Sequence, residues 1–523
     1  MSQTFTNQKY GVFKNHYFYL VVIVICAISI RIFYFEPEIP LTMDNLVYFL
    51  YAAEINIQGQ LSSEQTPANN GWPIFLGFIF SLFKFEDPIT YMNLQKITSI
   101  IISSITIIPI YFLSKHFFSR TLSMMCAILF CFEPRIIQNS ILGVTEPLYI
   151  LLATFSLLCI FSENKKIVYS SFAVAAIVSM IRAEGVVLIF ILSIIFFIKY
   201  RKSQKVFFKY LPAIIIFLLV LSPMIMYKQE VLGEDLIFSR LSDAVMIQFL
   251  TPEIDSPEWN ELTNSQKKEI DEGKYNELNF FTNGIENYSK FLAWGLIPIF
   301  ILFIPIGIIR IFKKMDYKKI TIILSLLFFS LPAFYAYALS SLDSRYFFVL
   351  YPLFCIISVF GIEKIFNKIQ SKKILYIIII GIIFASITFI ELQKEDFTHE
   401  KESFLVAQFI VQNTDGVNYF SPESQYIKVA EVIKNWPNLP SNEFGHFEVN
   451  MHRFSTEEYN SIEEFIETNK DKGLTHIVID DKSNRPEFLK DIFRNENNDM
   501  LKKIYDSKEN EFEYHVKIFE IKS

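Results

Sequence analysis

The sequence predicts a polytopic α-helical membrane protein, about 11 transmembrane helices followed by a small extracytoplasmic α/β domain at the C-terminus. Three observations carry that fold class. Of 523 residues 52% are hydrophobic, 55 of them Phe, and only 20% are charged, against about 25% in a soluble domain. The apolar residues gather in blocks of roughly 16 to 22 with almost no charge, near the length that crosses about 30 Å of hydrocarbon. Basic residues crowd into every second connection between those blocks.

In chain order, spans are expected near 17–35, 92–114, 121–134, 140–161, 167–181, 186–199, 210–227, 291–311, 320–339, 346–362 and 374–391. Lys9 and Lys14 precede the first and no small-residue cleavage site follows it, so it reads as a retained anchor rather than a signal peptide. Residues 71–83 (GWPIFLGFIFSLF) are apolar but short, which predicts a re-entrant or interfacial helix. With a cytoplasmic N-terminus, the inner connections hold Lys115 and Arg120, then Lys165 and Lys166, then Lys199, Arg201, Lys202, Lys205 and Lys209. Further inner groups are Arg310, Lys313, Lys314, Lys318 and Lys319, and Lys364, Lys368, Lys372 and Lys373. The outer connections are poor in basic residues and carry Glu36, Glu38, Glu54, Glu64, Glu86 and Asp87. This positive-inside bias predicts a multi-pass protein of the cell membrane whose chain from about residue 392 lies outside the cytoplasm.

The chain thus divides into a transmembrane catalytic part, 1–391, with outer loops 36–91 and 228–290, and a soluble part, 392–523. In the soluble part, amphipathic stretches at 401–412 and 461–470 predict helices, and the run LTHIVID at 474–480 predicts a strand. All five cysteines (Cys26, Cys126, Cys131, Cys159, Cys355) lie in or beside apolar segments, which excludes a disulfide framework and a zinc cluster. His446, His452, His476 and His515 have no metal-ligand spacing. The basic residues flank membrane segments, so nucleic-acid binding finds no support.

The informative residues are charges at the outer ends of spans, where a charge at bilayer depth costs about 2.5–3.5 kcal/mol at a helix centre and less near the interface. Glu133 and Arg135 close the third span, and Glu146 lies one turn into the fourth. Arg182 and Glu184 occupy the turn between the fifth and sixth, and Asp343, Arg345 and Tyr346 open the tenth. Asp44 begins the segment DNLVYFLYAAEI, an amphipathic helix that would put Tyr48 one turn away on the same face. Singly, such charges are ordinary interface residues reaching for water. Together they predict a polar cavity open to the outer side, its carboxylates able to hold a metal or act as a base and its arginines able to hold a phosphate. Arg345 could instead form a structural pair with Asp343. An anionic lipid headgroup fits such a place, because its tail stays in the bilayer.

At these residues the sequence resembles the GT-C superfamily of membrane glycosyltransferases, and most of all its protein O-mannosyltransferase and lipid A aminoarabinose transferase branch. Asp44 with Tyr48 and Ala52-Ala53 is similar to that branch's acidic motif in the first outer loop. Gly71-Trp72-Pro73 with Phe75 and Leu76 is similar to the start of its second juxtamembrane helix. Pro134-Arg135, Ser140, Gly143, Thr145-Glu146 and Leu148 resemble the second outer loop. Ile181-Arg182-Ala183-Glu184-Gly185 looks like the superfamily's Arg-Pro-Glu-Gly turn with Ala183 in place of proline, and Ser344-Arg345-Tyr346-Phe347 with Pro352 resembles the opening of a late span. The resemblance implies a glycosyltransferase that moves a sugar from a polyprenyl- or dolichyl-phosphate carrier to an extracytoplasmic acceptor (protein, lipid or glycan), by inverting displacement.

It further implies Asp44 as the catalytic base or acceptor-positioning carboxylate, Glu146 as a second catalytic or acceptor-binding carboxylate, and Arg345 and Arg182 as contacts of the donor phosphate. Tyr48, Arg135, Glu184 and Tyr346 would position substrate. Asp44 and Glu146 would also be the ligands of a divalent cation, Mg or Mn, if one takes part. Oligosaccharyltransferase-like glycan transfer is an alternative, although Trp436-Pro437-Asn438 in the tail does not match that branch's Trp-Trp-Asp signature. A lipid-linked saccharide transporter or flippase is the alternative of another class; it calls for ionisable groups through the bilayer's depth and an internal repeat, and the sequence shows neither.

Overall fold

The computed structural model describes residues 3–59, 61, 69–233, 277–313, 315–394, 397–414, 417–419, 424–438, 456, 459–482, 485–496 and 498–522. Most of the outer loop expected at 228–290, with Glu64, Lys314, His446 and His452, lies outside the described residues.

Two compact units can be told apart: residues 1–35, 66–75 and 96–393 form one, and residues 36–65, 76–95 and 394–523 the other. The first is a helical membrane unit. It begins with α1 (Gln3–Phe33). Next come α4 (Pro88–Ile105) and α5 (Ile107–Ser114), which run on as one span of 27 residues, with residues 88–95 of α4 grouped in the other unit. Then follow α6 (Arg120–Cys131), α7 (Pro134–Ser140), α8 (Glu146–Ile160), α9 (Lys165–Ile181), α10 (Val187–Tyr200) and α11 (Val206–Leu232). Its later helices are α12 (Glu277–Leu296), α13 (Ile304–Phe312), α14 (Tyr317–Ala338), α15 (Tyr351–Ile369) and α16 (Lys372–Leu392). Tyr351 through Ile362 are buried without exception, so α15 is the central helix; apolar residues on every side of a helix demand such a place.

By length and composition, seven helices among the described residues can cross a bilayer: His16–Phe33, Pro88–Ser114, Ala183–Tyr200, Val206–Val231, Tyr317–Ala338, Ser344–Ile369 and Lys373–Leu392. An eighth results if α6 and α7 count as one span bent by 55°. The bend has a local cause: Pro134 has no N–H to give the ladder, and the Glu133 carboxylate caps the new helix by accepting from the Arg135 N–H. The expected spans at 140–161 and 167–181 are helices of 15 and 17 residues, about 22 and 26 Å long at 1.5 Å per residue. The expected span at 291–311 is broken between α12 and α13, where Pro298 and Pro305 interrupt the pattern. The short segment at 71–83 is the helix α3 (Gly71–Ser81), whose 11 residues are too few to cross.

Backbone proximity fixes the centre of the bundle. A Cβ built on Gly307 of α13 would lie 1.9 Å from the Ile357 carbonyl oxygen of α15, and one on Gly361 would lie 2.5 Å from that of Phe303. Only glycine admits this crossing, the small-residue packing that membrane helices use in place of a hydrophobic drive.

The second unit contains α2 (Met43–Gln58) and the C-terminal domain. That domain holds α17 (Thr398–Asn413), β1 (Val417–Tyr419), α18 (Ser424–Asn435), α19 (Ile462–Lys470), β2 (Leu474–Asp480), α20 (Glu487–Arg494), β3 (Leu501–Asp506) and β4 (Val516–Ile521). Strand order is β1-β2-β4-β3, with β1 parallel to β2 and the other pairs antiparallel, His476 facing Glu520 and Asp480 facing Val516. Phe465, Ile477, Leu489 and Phe519 fill the core between sheet and helices. The strand expected at 474–480 and the helix expected at 461–470 are both there.

Candidate functional site

The charged end of the membrane unit is built by three chain turns. α8 starts at Glu146, behind Thr145 and ahead of Pro147, whose missing N–H costs nothing in a first turn. α9 runs antiparallel to it and ends at Ile181, so Arg182 returns to the level of Glu146. The short 3-10 turn Ala183–Val186 then carries Glu184, and a second one, Ser344–Leu350, packs on both α8 and α14 and carries Arg345. The opposite ends of these helices are basic. Lys199 there donates to the Ile160 and Ser162 carbonyls, completing the C-terminus of α8, and Arg310 pairs with Glu363 at 2.8 Å.

Arg182 is the hub. Its Nη1 donates to Glu146 Oε1 and, at 3.4 Å, to Thr145 Oγ1; its Nη2 donates to Glu184 Oε1 at 3.1 Å. The guanidinium also lies 5.9 Å from the Tyr149 ring, one turn along α8. Glu146 is 2% exposed, Arg182 13% and Glu184 27%, so the cluster runs from a buried floor to an accessible edge. Glu146 Oε2 is buried with no hydrogen-bond partner. Arg345 lies within electrostatic reach of both Glu146 and Arg182. It is tied to Asp343, Nε to Oδ2 at 2.6 Å and backbone N to Oδ1 at 2.8 Å, and remains 36% exposed. Tyr346, half-buried, meets Tyr337 edge to face, and the Tyr337 hydroxyl donates to the Asp343 carbonyl at 2.8 Å. Counted together, two guanidinium groups stand among three carboxylates.

Arg135 is placed elsewhere in the same unit. Its guanidinium donates to the carbonyls of Trp294 and Ile297 and, at 3.4 Å, to Glu133, between the Trp294 and Phe389 rings at 5.0 and 4.7 Å. It lies at the break between α12 and α13, where the Trp294 carbonyl also accepts from the Ile297 N–H at 3.2 Å. Asp44 and Tyr48 are in the other unit, on α2, whose first turn contains Asp44; Asp44 is exposed and Tyr48 half-buried one turn on.

Sequence reasoning passed over Asn69 and Tyr149, and it quoted the Gly71-Trp72 motif without its reason. Asn69 Oδ1 accepts from the Ala183 N–H at 3.4 Å, and the buried Trp72 donates to the Gly143 carbonyl at 3.2 Å. Gly71 lies against the backbone of Met180 and Ile181, where a Cβ would come within 2.8 Å. Residues 69–72 therefore brace the Arg182 turn, and the close approach explains the glycine. Tyr149 was findable as the i+3 neighbour of Glu146. Arg31 and Lys228, both wholly buried, were hidden at the ends of apolar runs.

Residues 73–227 match the family model of dolichyl-phosphate-mannose-protein mannosyltransferases. No curated protein matches the chain by sequence. Among solved structures, the apo crystal structure of the Archaeoglobus fulgidus oligosaccharyltransferase is similar over 89% of this chain and 69% of its own, at 10% identity and TM-score 0.53. The same protein tethered through a disulfide bond to an acceptor peptide with the NVT sequon is similar over 88% and 69%, at 10% identity and TM-score 0.51. ArnT from Cupriavidus metallidurans bound to undecaprenyl phosphate aligns over 79% and 69%, at 10% identity, with a TM-score of 0.44 that is too low to weigh. At such identity the likeness is one of fold. The chain thus has the GT-C fold that its motifs implied, and the stretch of it that contains Arg135, Glu146, Arg182 and Glu184 matches the mannosyltransferase family model.

Proposed function

We propose that this chain is a glycosyltransferase that moves a sugar from a polyprenyl- or dolichyl-phosphate carrier to an extracytoplasmic acceptor hydroxyl. The observation that carries the reading is the Glu146–Arg182–Glu184 cluster with Arg345 beside it, at one end of a membrane bundle and largely inside the stretch matched to the mannosyltransferase family. Guanidinium groups at that depth suit a lipid-linked phosphate, whose isoprenoid tail would stay in the bilayer. In this reading the acceptor hydroxyl attacks C1 of the sugar while Asp44 takes its proton. The C1–O bond to the phosphate breaks, the released charge is stabilised by Arg345 with Arg182, and the anomeric centre inverts. Glu146 and Glu184 hold Arg182 in place, and Tyr48 and Tyr346 position substrate. Arg135, its guanidinium given to protein carbonyls, takes no part in this proposal.

A divalent cation, Mg or Mn, belongs to the same proposal. Three carboxylates against two guanidinium groups leave the cluster one negative charge before an anionic donor arrives, and the partnerless Glu146 Oε2 is a ready ligand atom. Among the described residues no group of three or more His, Cys, Asp or Glu side chains could hold a metal. Such an ion would therefore rest on Glu146, or on Asp44, together with donor phosphate and water, as Mg commonly does. When bound it would supply charge neutralisation of the phosphate.

The proposal extends to orientation: N-terminus cytoplasmic, residues 1–391 catalytic, residues 392–523 extracytoplasmic. The basic ends of α8, α9 and α15, opposite to Glu146 and Arg182, support it. A cysteine at Lys508 should react with an impermeant thiol reagent in intact cells and one at Lys202 should not; the reverse pattern reverses the orientation. The function is tested by incubating the purified chain with labelled polyprenyl-phosphate sugars and protein, lipid and glycan acceptors. Label on an acceptor is the expected result. Label that crosses a vesicle membrane without covalent transfer would instead establish the transporter reading. Glycan transfer to an asparagine sequon would instead establish the oligosaccharyltransferase reading.

A further inference from the structure

We infer that Trp436 of the C-terminal domain is a positioning residue that fixes the helix α2, and with it Asp44. The inference rests on the proposed role of Asp44 as base. Residues 36–65, which contain α2, and 76–95 group with 394–523 into one compact unit. The grouping has named ties. The Trp436 ring stacks on Phe49 of α2, with centroids 5.9 Å apart and planes at 30°, and lies 5.7 Å from the Tyr91 ring. Phe49 and Tyr91 are themselves joined through Phe80, at 5.9 and 5.2 Å. Phe49 and Phe80 are wholly buried, so Trp436 closes an aromatic cluster from the C-terminal side.

A second tie holds the chain just before α2: Lys401 of α17 pairs with Glu36 at 3.2 Å and Glu38 at 3.1 Å. A third is local to the outer loop, where the buried Gln95 donates to the Asn45 carbonyl at 3.1 Å. The Trp436 contact is on the side of α2 that carries Leu46, Phe49, Ala52 and Ala53, all buried, while Met43, Asp44 and Val47 are exposed. A helix held this way on one face presents its other face at a fixed angle. Misplacing a reacting group by about 1 Å can cost about 100-fold in rate. Trp436 touches no reacting atom in this assignment and acts only through α2.

The test uses the full chain in detergent, with amide hydrogen exchange read in Met43–Gln58, in the sheet (474–480 and 516–521) and in α15. Trp436→Ala should speed exchange in Met43–Gln58 by about 10-fold or more while the sheet and α15 stay protected, and Trp436→Phe should restore protection. Should Trp436→Ala strip the sheet as well, Trp436→Leu and Phe49→Leu decide, since both keep apolar bulk and both should loosen α2. A helix as protected as the parent's in those variants overturns the assignment. In transfer assays Trp436→Ala should lower kcat by about 10-fold with donor KM unchanged, and should add nothing in an Asp44→Asn background. A full additional loss in that background overturns the route through Asp44. If Asp44→Asn is itself fully active, the base assignment fails, and the exchange measurement still decides whether Trp436 holds the helix.

Discussion

The membrane unit contains two Glu–Arg pairs, one local and one between distant chain turns, that differ in what the arginine does. In the Glu133–Arg135 pair the side chains are 0% and 5% exposed, and the guanidinium is given to the Trp294 and Ile297 carbonyls between two aromatic rings. In the Glu146–Arg182 pair the guanidinium faces two carboxylates, one of them at an accessible edge, with a second arginine nearby. The first arrangement serves main-chain carbonyls at a broken helix, which need donors where water is excluded. The second holds charge against charge in a place a ligand can reach. Burial of a charged pair therefore does not mark a site by itself; what the donor atoms are spent on does.

The largest expected effect lies outside both pairs. Asp44→Asn keeps size and removes the proposed base, so turnover should fall by roughly 10²–10⁴ at unchanged expression and melting temperature. Undiminished turnover would remove Asp44 from the mechanism. Next is Arg135→Ala, which strips Glu133 of its cationic partner and the Trp294 and Ile297 carbonyls of the guanidinium. Breaking a buried pair costs about 3–5 kcal/mol, so the loss should appear as a lowered melting temperature in detergent, with the remaining folded molecules still active.

The two pairs then separate on one conservative change. Lysine keeps the charge and gives up the planar fork. Arg182→Lys should keep the melting temperature within a few degrees and lower turnover by about 10-fold, the scale of one charged hydrogen bond. Arg135→Lys should lower the melting temperature and leave turnover per folded molecule unchanged. Equal behaviour of the two variants would erase the distinction drawn here. Arg345→Ala should weaken donor use by about 10- to 100-fold on the same scale, read as initial rate against donor concentration. If Arg345 serves only Asp343, whose carboxylate it already engages, replacing both by neutral residues should return the parent's donor kinetics.

Much of this was legible because a charge inside an apolar run stands out in any reading of the chain. Glu146, Arg182, Glu184 and Arg345 were placed at one membrane end by counting spans, and the structure gathers all four at one end of the bundle. The role of Arg135 was not legible. Its acceptors are main-chain carbonyls about 160 positions away, and carbonyls carry no sequence signal. Nor was the break at 297–303, since a hydropathy window averages over a proline that ends a helix. Trp436 entered the sequence reading only as a mismatch to the Trp-Trp-Asp signature, because its partner rings at 49 and 91 belong to a segment that the spans assigned to the membrane part.

The smallest expected effect concerns a third kind of ion pair, one at the domain surface with an accessible carboxylate. In the C-terminal domain Glu496 accepts from Lys503 at 2.8 Å and Lys517 at 2.7 Å, and these ammonium groups hold its carboxyl down at about 2. Asp506, which His515 meets at 3.0 Å, lies 3.6 Å from Lys503 and 4.0 Å from Lys517, so the group is a small network rather than a single pair. Because the folded value lies below the ordinary carboxylate value of 4.5, the stabilisation is present above about pH 4.5. It is lost as pH falls from there through about 2. Glu496 is 37% exposed, so water and salt screen the pairs and the effect is at the low end for surface ion pairs. Amide protection in Leu501–Asp506 and Val516–Ile521, corrected for the intrinsic exchange rate, should decline across that window and decline less at high salt. Glu496→Gln should flatten the decline and slightly lower protection at neutral pH. A decline of unchanged size in Glu496→Gln would assign the acid sensitivity to another carboxylate, with Asp506 the next to replace.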